Sequence, residues 1–332
     1  MLRNFFLLLV MLLASPCLRA QNPIPPAPLP PPPQGAAPSG QEGEQGNRIH
    51  VNVDLVVLHA TVSDDKGQFV PGLQRDNFRV FEGKAEQKIS AFSNEDAPVT
   101  VGLVIDNSGS MREKREQVNA AALAFVKASN PQDETFVVNF NDEYYLDLNE
   151  DFTNDMRELN EALSRIDSRG STALYDAVIG SLDHLKKGHK DKKVLLVITD
   201  GDDDASRKSF PYTVQAAQQS DAVIYAIGVF SDEDRKRAKR MVKKSKKELT
   251  TLADATGGEA YFPETLEQVQ AICTQVAHDI RNQYTLGYYP TNTARDGTFR
   301  EVQVQLIPPK GRGKMTIRTR TGYYAPKPSH GD

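Results

Sequence analysis

The sequence predicts an α/β protein in which a doubly wound, mainly parallel sheet is inserted in a small antiparallel β domain. Between residues 99 and 282, continuous apolar runs alternate with segments of helical periodicity, a pattern typical of parallel strands covered by helices on both faces. On either side of this region, short segments with period-two alternation have no helices of their own. Residues 283–326 are therefore expected to pair with residues 48–98 and to form one β domain with them.

The first 47 residues are predicted to lie outside the folded part. Residues 1–20 combine a basic start at Arg3, a short apolar run and a possible cleavage site after Ala20, as in a secretory signal peptide. An uncleaved anchor and a lipid-modified Cys17 stay open as alternatives. Residues 21–47 are a Pro-rich linker that cannot build a core. This organisation predicts a protein that is secreted or periplasmic.

Short alternating segments flank the central region. The first of them starts at Ile49, and a turn is expected at residues 64–67. The predicted strands of the flanks are residues 78–81, 88–92, 284–289, 299–307 and 314–321. Each flank alone has too few strands for a stable sheet, so the two are expected to fold together.

The central region, residues 99–282, is predicted to alternate strands with helices. Its strands are expected at residues 99–105, 135–140, 144–148, 193–199 and 222–230. Helical patterns begin near Val118 and cover residues 213–220 and 265–282. In the last of these helices, Cys273 lies among apolar residues at helical spacing, which predicts a buried thiol rather than a nucleophile.

Composition and motifs argue against two broad classes of function. The formal net charge is -4 and the pI is about 5.9, so nothing indicates a protein that coats nucleic acid. The sequence has no Gly-x-Ser-x-Gly elbow, no His-Glu-x-x-His and no phosphate-binding Gly-x-x-x-x-Gly-Lys loop. We therefore predict no catalytic residues and no nucleotide cofactor.

Side chains that carry oxygen are predicted to meet at one edge of the parallel sheet. Asp106, Ser108 and Ser110 lie on the loop after the first buried strand, Thr172 lies on a loop that opens a helix, and Asp200 ends a later buried strand. Ligands of open parallel sheets gather at the carboxyl ends of the strands. Carboxylate and hydroxyl oxygens suit Mg²⁺, Mn²⁺ or Ca²⁺ rather than zinc or copper. Because Asp, Ser and Gly also form ordinary turns and N-caps, the metal site is predicted from the convergence of three loops.

The order, approximate spacing and strand-loop context of these five residues resemble the metal-ion-dependent adhesion site of von Willebrand factor A domains. The resemblance covers residues 99–282 and implies a Rossmann-like sheet for that region. The flanks resemble a secreted bacterial family that is related to these domains. The segments that carry this wider resemblance are residues 54–57, 76–78, 81–82, 283–290 and 322–324.

The resemblance implies a role for each of the five residues. Ser108 and Ser110 would ligate the metal directly, and Thr172 would do so directly or through water. Asp106 and Asp200 would act mostly through water and by accepting hydrogen bonds. The remaining coordination position would be left for a carboxylate on a partner protein. The resemblance thus implies an adhesion-type binding module that uses Mg²⁺, or else Mn²⁺ or Ca²⁺, and is not an enzyme.

Two alternatives to this function stay open. A metal-dependent hydrolase would need a general base beside the ion, and Asp202 or Asp203 could serve by position. A structural envelope protein would keep the fold with a degenerate metal site. The expected partner is a protein ligand of unknown identity that presents a carboxylate, and no nucleic acid is expected. Contact with a membrane is expected only through an uncleaved or lipidated N-terminus.

Two runs of charge have more than one interpretation. The acidic run at residues 202–204 could be a second cation site, although a solvated acidic loop explains it more simply. The basic run at residues 235–247 could contact anionic polymer or lipid head groups. More often such a run is the solvated face of a surface helix, and the acidic residues at its N-terminal end favour a helix through its dipole.

Overall fold

The structure is a computed structural model that describes residues 54–165 and 168–328. The signal peptide and the Pro-rich linker predicted for residues 1–47, like the strand start at Ile49, lie outside these residues. Within the described ranges, no helix is both long and apolar enough to cross a bilayer.

Strands before, within and after the central region are numbered in chain order. Those before it are β1 (Val56–Asp64), β2 (Phe78–Glu82), β3 (Ala85–Gln87) and β4 (Ile89–Ser93). Those within it are β5 (Val99–Asp106), β6 (Glu134–Phe140), β7 (Tyr144–Leu146), β8 (Lys192–Thr199), β9 (Ala222–Gly228) and β10 (Ala260–Tyr261). Those after it are β11 (Tyr284–Tyr288), β12 (Phe299–Leu306), β13 (Met315–Arg318) and β14 (Gly322–Tyr324).

The described α-helices all lie between β5 and β11. They are α1 (Arg115–Ala128), α2 (Met156–Ser164), α3 (Leu174–Leu185), α4 (Phe210–Gln219), α5 (Asp232–Arg237), α6 (Lys239–Thr256) and α7 (Glu267–Arg281). The helix predicted at residues 213–220 begins earlier because Pro211 fits the first turn of α4. The basic run is split between two helices, α5 and α6, with Ala238 between them.

The central sheet has the strand order β10-β9-β8-β5-β6-β7. Its strands are parallel except β7, which pairs antiparallel with β6 at the edge. The core on one face includes α1, α2 and α7, through Val118, Phe125, Leu163, Cys273 and Val276. The core on the other face includes α3, α4 and α6, through Leu174, Val178, Leu182, Ala217 and Leu249. This arrangement confirms the predicted doubly wound α/β fold, and it buries Cys273 as expected.

The flanking strands form two antiparallel sheets that share one core. In the described residues the strand orders are β13-β1-β11-β4 and β14-β12-β2-β3, so each sheet combines strands from both sides of the insertion. The strand predicted at residues 314–321 is shorter, β13, and β14 is a further strand, not predicted from the sequence, in the other sheet. The chain crosses between the sheets before Gly322, where a side chain would meet the Arg300 carbonyl oxygen at 2.3 Å. The parallel sheet is thus inserted in a β domain, while the domain boundaries given above stay predictions.

A partly buried polar cluster joins the inserted region to the β domain. Arg318 of β13 forms an ion pair with Glu259, which precedes β10, and lies 3.5 Å from Asp279 of α7. Tyr261 donates a hydrogen bond of 2.7 Å to Glu259 and lies 3.4 Å from Asp279. Burial raises the pKa of the Asp279 carboxyl to about 6, and the Arg318 guanidinium offsets only part of that rise.

Asp279 should make the stability of the protein depend on pH. Its folded-state pKa of about 6 exceeds its ordinary value of 3.8, so the folded protein binds this proton more tightly than the unfolded chain. The stabilisation is complete below pH 3.8 and is lost as the pH rises through about 6. We expect Asp279→Asn to remove this part of the pH dependence, an effect of about 1–3 kcal/mol. Urea unfolding at pH 5 and pH 7 measures the free energy of unfolding of both proteins. An equal change in this free energy between the two pH values would contradict the prediction.

Candidate metal centre

The Asp106 carboxylate is fixed at the carboxyl end of β5. Its Oδ1 accepts a hydrogen bond of 2.8 Å from the Ser108 backbone N–H, and its Oδ2 accepts one of 2.6 Å from the Thr199 hydroxyl. The side chain is completely buried because the neighbouring strands β6 and β8 enclose β5 on both sides. These bonds hold the carboxylate in one orientation at the sheet edge that the sequence predicted.

Ser108, Ser110 and Asp200 form a chain of oxygen atoms. The hydroxyl oxygens of Ser108 and Ser110 are 3.1 Å apart, and the Ser110 hydroxyl donates a hydrogen bond of 2.8 Å to Asp200 Oδ1. Asp200 follows β8, whose partner strand β5 leads into the loop of the two serines. The register of the parallel sheet therefore brings together residues that lie 90 positions apart in the chain.

Thr172 lies against the same group of residues. A Cβ placed on Gly201 would be 3.2 Å from the Thr172 hydroxyl oxygen and 3.7 Å from Asp106 Oδ2, so both side chains lie close to Gly201. The loop that carries Thr172 is held to the first loop by a hydrogen bond from Gly109 N–H to the Gly170 carbonyl. Gly170 has a φ of +73°, and a side chain there would collide with Asp142 at 2.0 Å. All five predicted residues are thus placed at one edge of the sheet.

The acidic run after Asp200 has a structural role that the sequence analysis missed. The Asp204 carboxylate accepts a hydrogen bond of 2.7 Å from the Thr172 N–H, and the Asp203 carboxylate accepts one of 3.0 Å from Tyr175 N–H at the start of α3. Asp202 forms an ion pair of 2.8 Å with Lys244. The carboxylates of this run therefore anchor the loop of Thr172, the first turn of α3 and α6, while a second cation site here stays a prediction.

Replacing Asp204 with alanine should weaken metal binding, although Asp204 is not one of the five predicted ligands. The Thr172 backbone loses an acceptor within a partly buried loop, so the hydroxyl is no longer held in place. We expect affinity for Mn²⁺ to fall about tenfold, in the range seen for residues that orient ligands. Asp202→Ala removes the same charge from the same loop and is the control. Equal losses of Mn²⁺ affinity in the two variants would show that the negative charge of residues 202–204 sets the affinity, and not the contact of Asp204 with Thr172.

The electrostatics of the site favour a bound cation. Burial, and next the nearby Asp200 carboxylate, raise the pKa of Asp106 to about 6, while hydrogen bonds from Thr199 and Ser108 oppose the rise. A divalent ion would stabilise both carboxylates at neutral pH. The donor set of two carboxylates and three hydroxyls fits a hard ion that retains several waters. This donor set is not a cluster of three or more His, Cys, Asp or Glu side chains. Residues 54–165 and 168–328 contain no cluster of that kind that could hold a metal ion.

Lys114 is a further residue of this site that the sequence analysis did not identify. Its ammonium forms an ion pair with Asp200 Oδ2, and the two side chains are buried together. In the sequence Lys114 lies in the charged run Arg-Glu-Lys-Arg-Glu, which has the composition of an exposed first helical turn. The contact with Asp200, 86 residues away, brings it into the site.

Most of the basic run is an exposed helical surface, as expected, but two of its lysines make specific contacts. Lys244 pairs with Asp202, and Lys246 lies over the Phe262 ring at 5.1 Å from its centre. Ser245 between them is buried. The start of α6 therefore packs against the acidic loop of the site with part of its charge already compensated.

Residues 101–202 match the family model for the von Willebrand factor type A domain. The chain therefore contains a von Willebrand factor type A domain, and the matched segment includes all five predicted metal ligands. No curated protein matches the chain.

Solved structures show general similarity. The conserved hypothetical protein BatB from Bacteroides thetaiotaomicron is 17% identical with a TM-score of 0.45, and the match covers 55% of this chain and 98% of that one. A von Willebrand factor type A protein from Catenulispora acidiphila is 13% identical with a TM-score of 0.48, over 75% and 76% of the two chains. The vWF domain of the type V pili tip protein Mfa5 from Porphyromonas gingivalis is 13% identical with a TM-score of 0.46, over 56% and 95%. These similarities concern the general fold alone.

Proposed function

We propose that this chain is an extracytoplasmic binding module that holds a divalent cation and uses it to capture an acidic group on a partner protein. The observation that carries the proposal is the hydrogen-bonded set of Ser108, Ser110 and Asp200 beside buried Asp106. Extracytoplasmic location follows from the signal-like N-terminus seen in the sequence.

The ligand residues are proposed to hold Mg²⁺, or else Mn²⁺ or Ca²⁺. Ser108, Ser110 and Thr172 offer neutral oxygens, and Asp106 and Asp200 supply the negative charge. When bound, the ion supplies a concentrated positive charge that can coordinate a carboxylate from outside the chain. Burying a partner's carboxylate is costly unless a cation compensates it, so metal and partner should bind together.

The contacts of the acidic run favour binding over hydrolysis. Asp202 and Asp203 are the positions at which a general base could stand beside the metal. Asp202 is paired with Lys244, and Asp203 accepts hydrogen bonds from Tyr175 and Ser206. Both carboxylates are therefore committed to contacts within the chain.

The proposal is tested with an array of peptides that contain Asp or Glu, beside the same peptides with Asn or Gln. We expect the full mature chain to bind a subset of the acidic peptides in Mg²⁺ and to release them in EDTA. The amide versions should not bind, because a neutral amide replaces the carboxylate that the metal recognises. Binding that is equal in EDTA and in Mg²⁺, or equal for acid and amide peptides, would overturn the proposal.

A further inference from the structure

Lys114 places a positive charge inside the site that is proposed to hold a metal. It is the N-cap residue of α1, and its side chain is 9% exposed while that of Asp200 is 1% exposed. Long charged side chains rarely lie buried unless they are paired. This ion pair is therefore a specific feature of the site rather than a surface contact.

The ammonium contacts an oxygen of a residue that is also a proposed metal ligand. Asp200 Oδ1 accepts a hydrogen bond from Ser110, and Oδ2 accepts one from Lys114. Both oxygens of this carboxylate are thus engaged within the chain. Asp106, the other buried carboxylate, is repelled by Asp200, so a cation between or beside them lowers the electrostatic cost of the pair.

A divalent ion at this place would lie near the ammonium, and the side chains of Lys114 and Asp200 are themselves shielded from water. Charges of like sign repel strongly there, because the effective dielectric constant is well below that of water. A bound metal therefore either displaces the ammonium from Asp200 or is held less tightly because the ammonium stays.

A cavity gives the side chain room to move away. It has a volume of about 240 Å³ and lies between the segment after β9 and the segment before α7, with Lys114 in its wall. Asp232 and Glu264 line the same cavity, so it offers carboxylates as alternative partners for an ammonium. Glu264 lies directly before the first turn of α7, with its N–H bonded to the side chain of Gln268.

We propose that Lys114 is an internal counter-ion that stabilises the metal-free site through Asp200 and competes with the divalent cation for that carboxylate. The ammonium moves into the adjoining cavity when the metal binds. Lys114 is thus a positioning and affinity-setting residue, and the inference rests on the proposed metal site. It predicts opposite effects of one substitution on two measurements, which a lysine with a merely structural role would not produce.

The experiment compares the full mature chain with Lys114→Met by calorimetric titration with Mn²⁺ and by thermal unfolding in EDTA. We expect Lys114→Met to bind Mn²⁺ at least about tenfold more tightly, because the competing charge is gone. We expect the same variant to unfold at a lower temperature in EDTA, because Asp200 has lost its counter-ion. Saturating Mn²⁺ should restore most of that loss.

Lys127→Met, which removes the same charge from an exposed position on the same helix, is the control and should change neither measurement. If Lys114→Met does not fold, Lys114→Gln removes the charge but keeps a hydrogen-bond donor. Mn²⁺ affinity that is unchanged or weaker in a folded Lys114 variant would overturn the inference. If neither the wild-type protein nor any Lys114 variant binds Mn²⁺, the proposed metal site fails together with it. The metal site is tested separately with Ser108→Ala. If the wild-type protein binds Mn²⁺ and Ser108→Ala does not, the metal site is supported whatever the effect of the Lys114 variants.

Discussion

Asp106→Asn should abolish the response of the protein to divalent metal while leaving the metal-free protein folded. Asp106 is the most buried of the predicted ligands, and it is fixed by both Ser108 and Thr199. A neutral amide of the same shape removes one of the two charges that attract the ion. Wild-type protein should gain about 2.7 kcal/mol from metal at a hundredfold excess over Kd. We expect the variant to gain none of this.

The metal-free stability of the same variant separates loss of binding from loss of fold. The raised pKa of Asp106 means that its charge destabilises the metal-free protein at neutral pH. Asparagine carries no such charge, so we expect the melting temperature in EDTA not to fall. Asp183→Asn, an exposed change on α3, should keep the full response to metal. A normal shift of melting temperature with Mg²⁺ in Asp106→Asn would show that the site is wrongly assigned.

Gly258→Ala should destabilise the whole protein more than any surface substitution. A Cβ at this position would be 2.0 Å from the backbone carbonyl oxygen of Ile224 in β9, and a backbone atom cannot move aside as a flexible side chain can. Just beyond it, the Glu259 carbonyl accepts a hydrogen bond of 3.0 Å from Ala226 N–H. The end of α6 therefore meets the sheet backbone directly. A methyl group on residue 258 would push the segment after α6 away from β9 and break the hydrogen bond between Ala226 and Glu259. We expect this to lower the free energy of unfolding by about 4 kcal/mol or more.

Urea unfolding measures this effect against a matched glycine. Gly313→Ala is the control, since a Cβ there meets nothing within 4 Å, and we expect it to change the free energy of unfolding by less than about 0.5 kcal/mol. Glu259 is also an ion-pair partner of Arg318, so the Gly258 variant should loosen the contact with the β domain. A free energy of unfolding close to that of the wild-type protein would contradict the close approach seen at Ile224.

Local patterns predicted the strands and helices well. The apolar run that starts at Val99 could only be a strand buried on both faces, and it is the middle of the central sheet. The order of Asp106, Thr172 and Asp200 along alternating strands and helices was sufficient to place them at one sheet edge, because parallel strands share the direction of their carboxyl ends.

Contacts between polar side chains that are distant in the chain could not be predicted from the sequence. Lys114 and Asp204 have many charged neighbours in the chain, and charge alone does not reveal which of them is buried or which backbone N–H a carboxylate accepts from. Period-two alternation likewise does not show which strands are neighbours. The strand predicted at residues 314–321 therefore ends earlier, at Arg318, and the crossing to the other sheet, where β14 lies, was not predicted.

The inserted domain is connected to the β domain through two neighbouring strands. The chain leaves the β domain after β4 and returns in β11, and these strands are hydrogen-bonded neighbours with Ser93 opposite Thr285. The two attachment points are therefore about 5 Å apart. The chain therefore enters and leaves the inserted domain at one place, and these two connections cannot move apart while Ser93 and Thr285 stay paired.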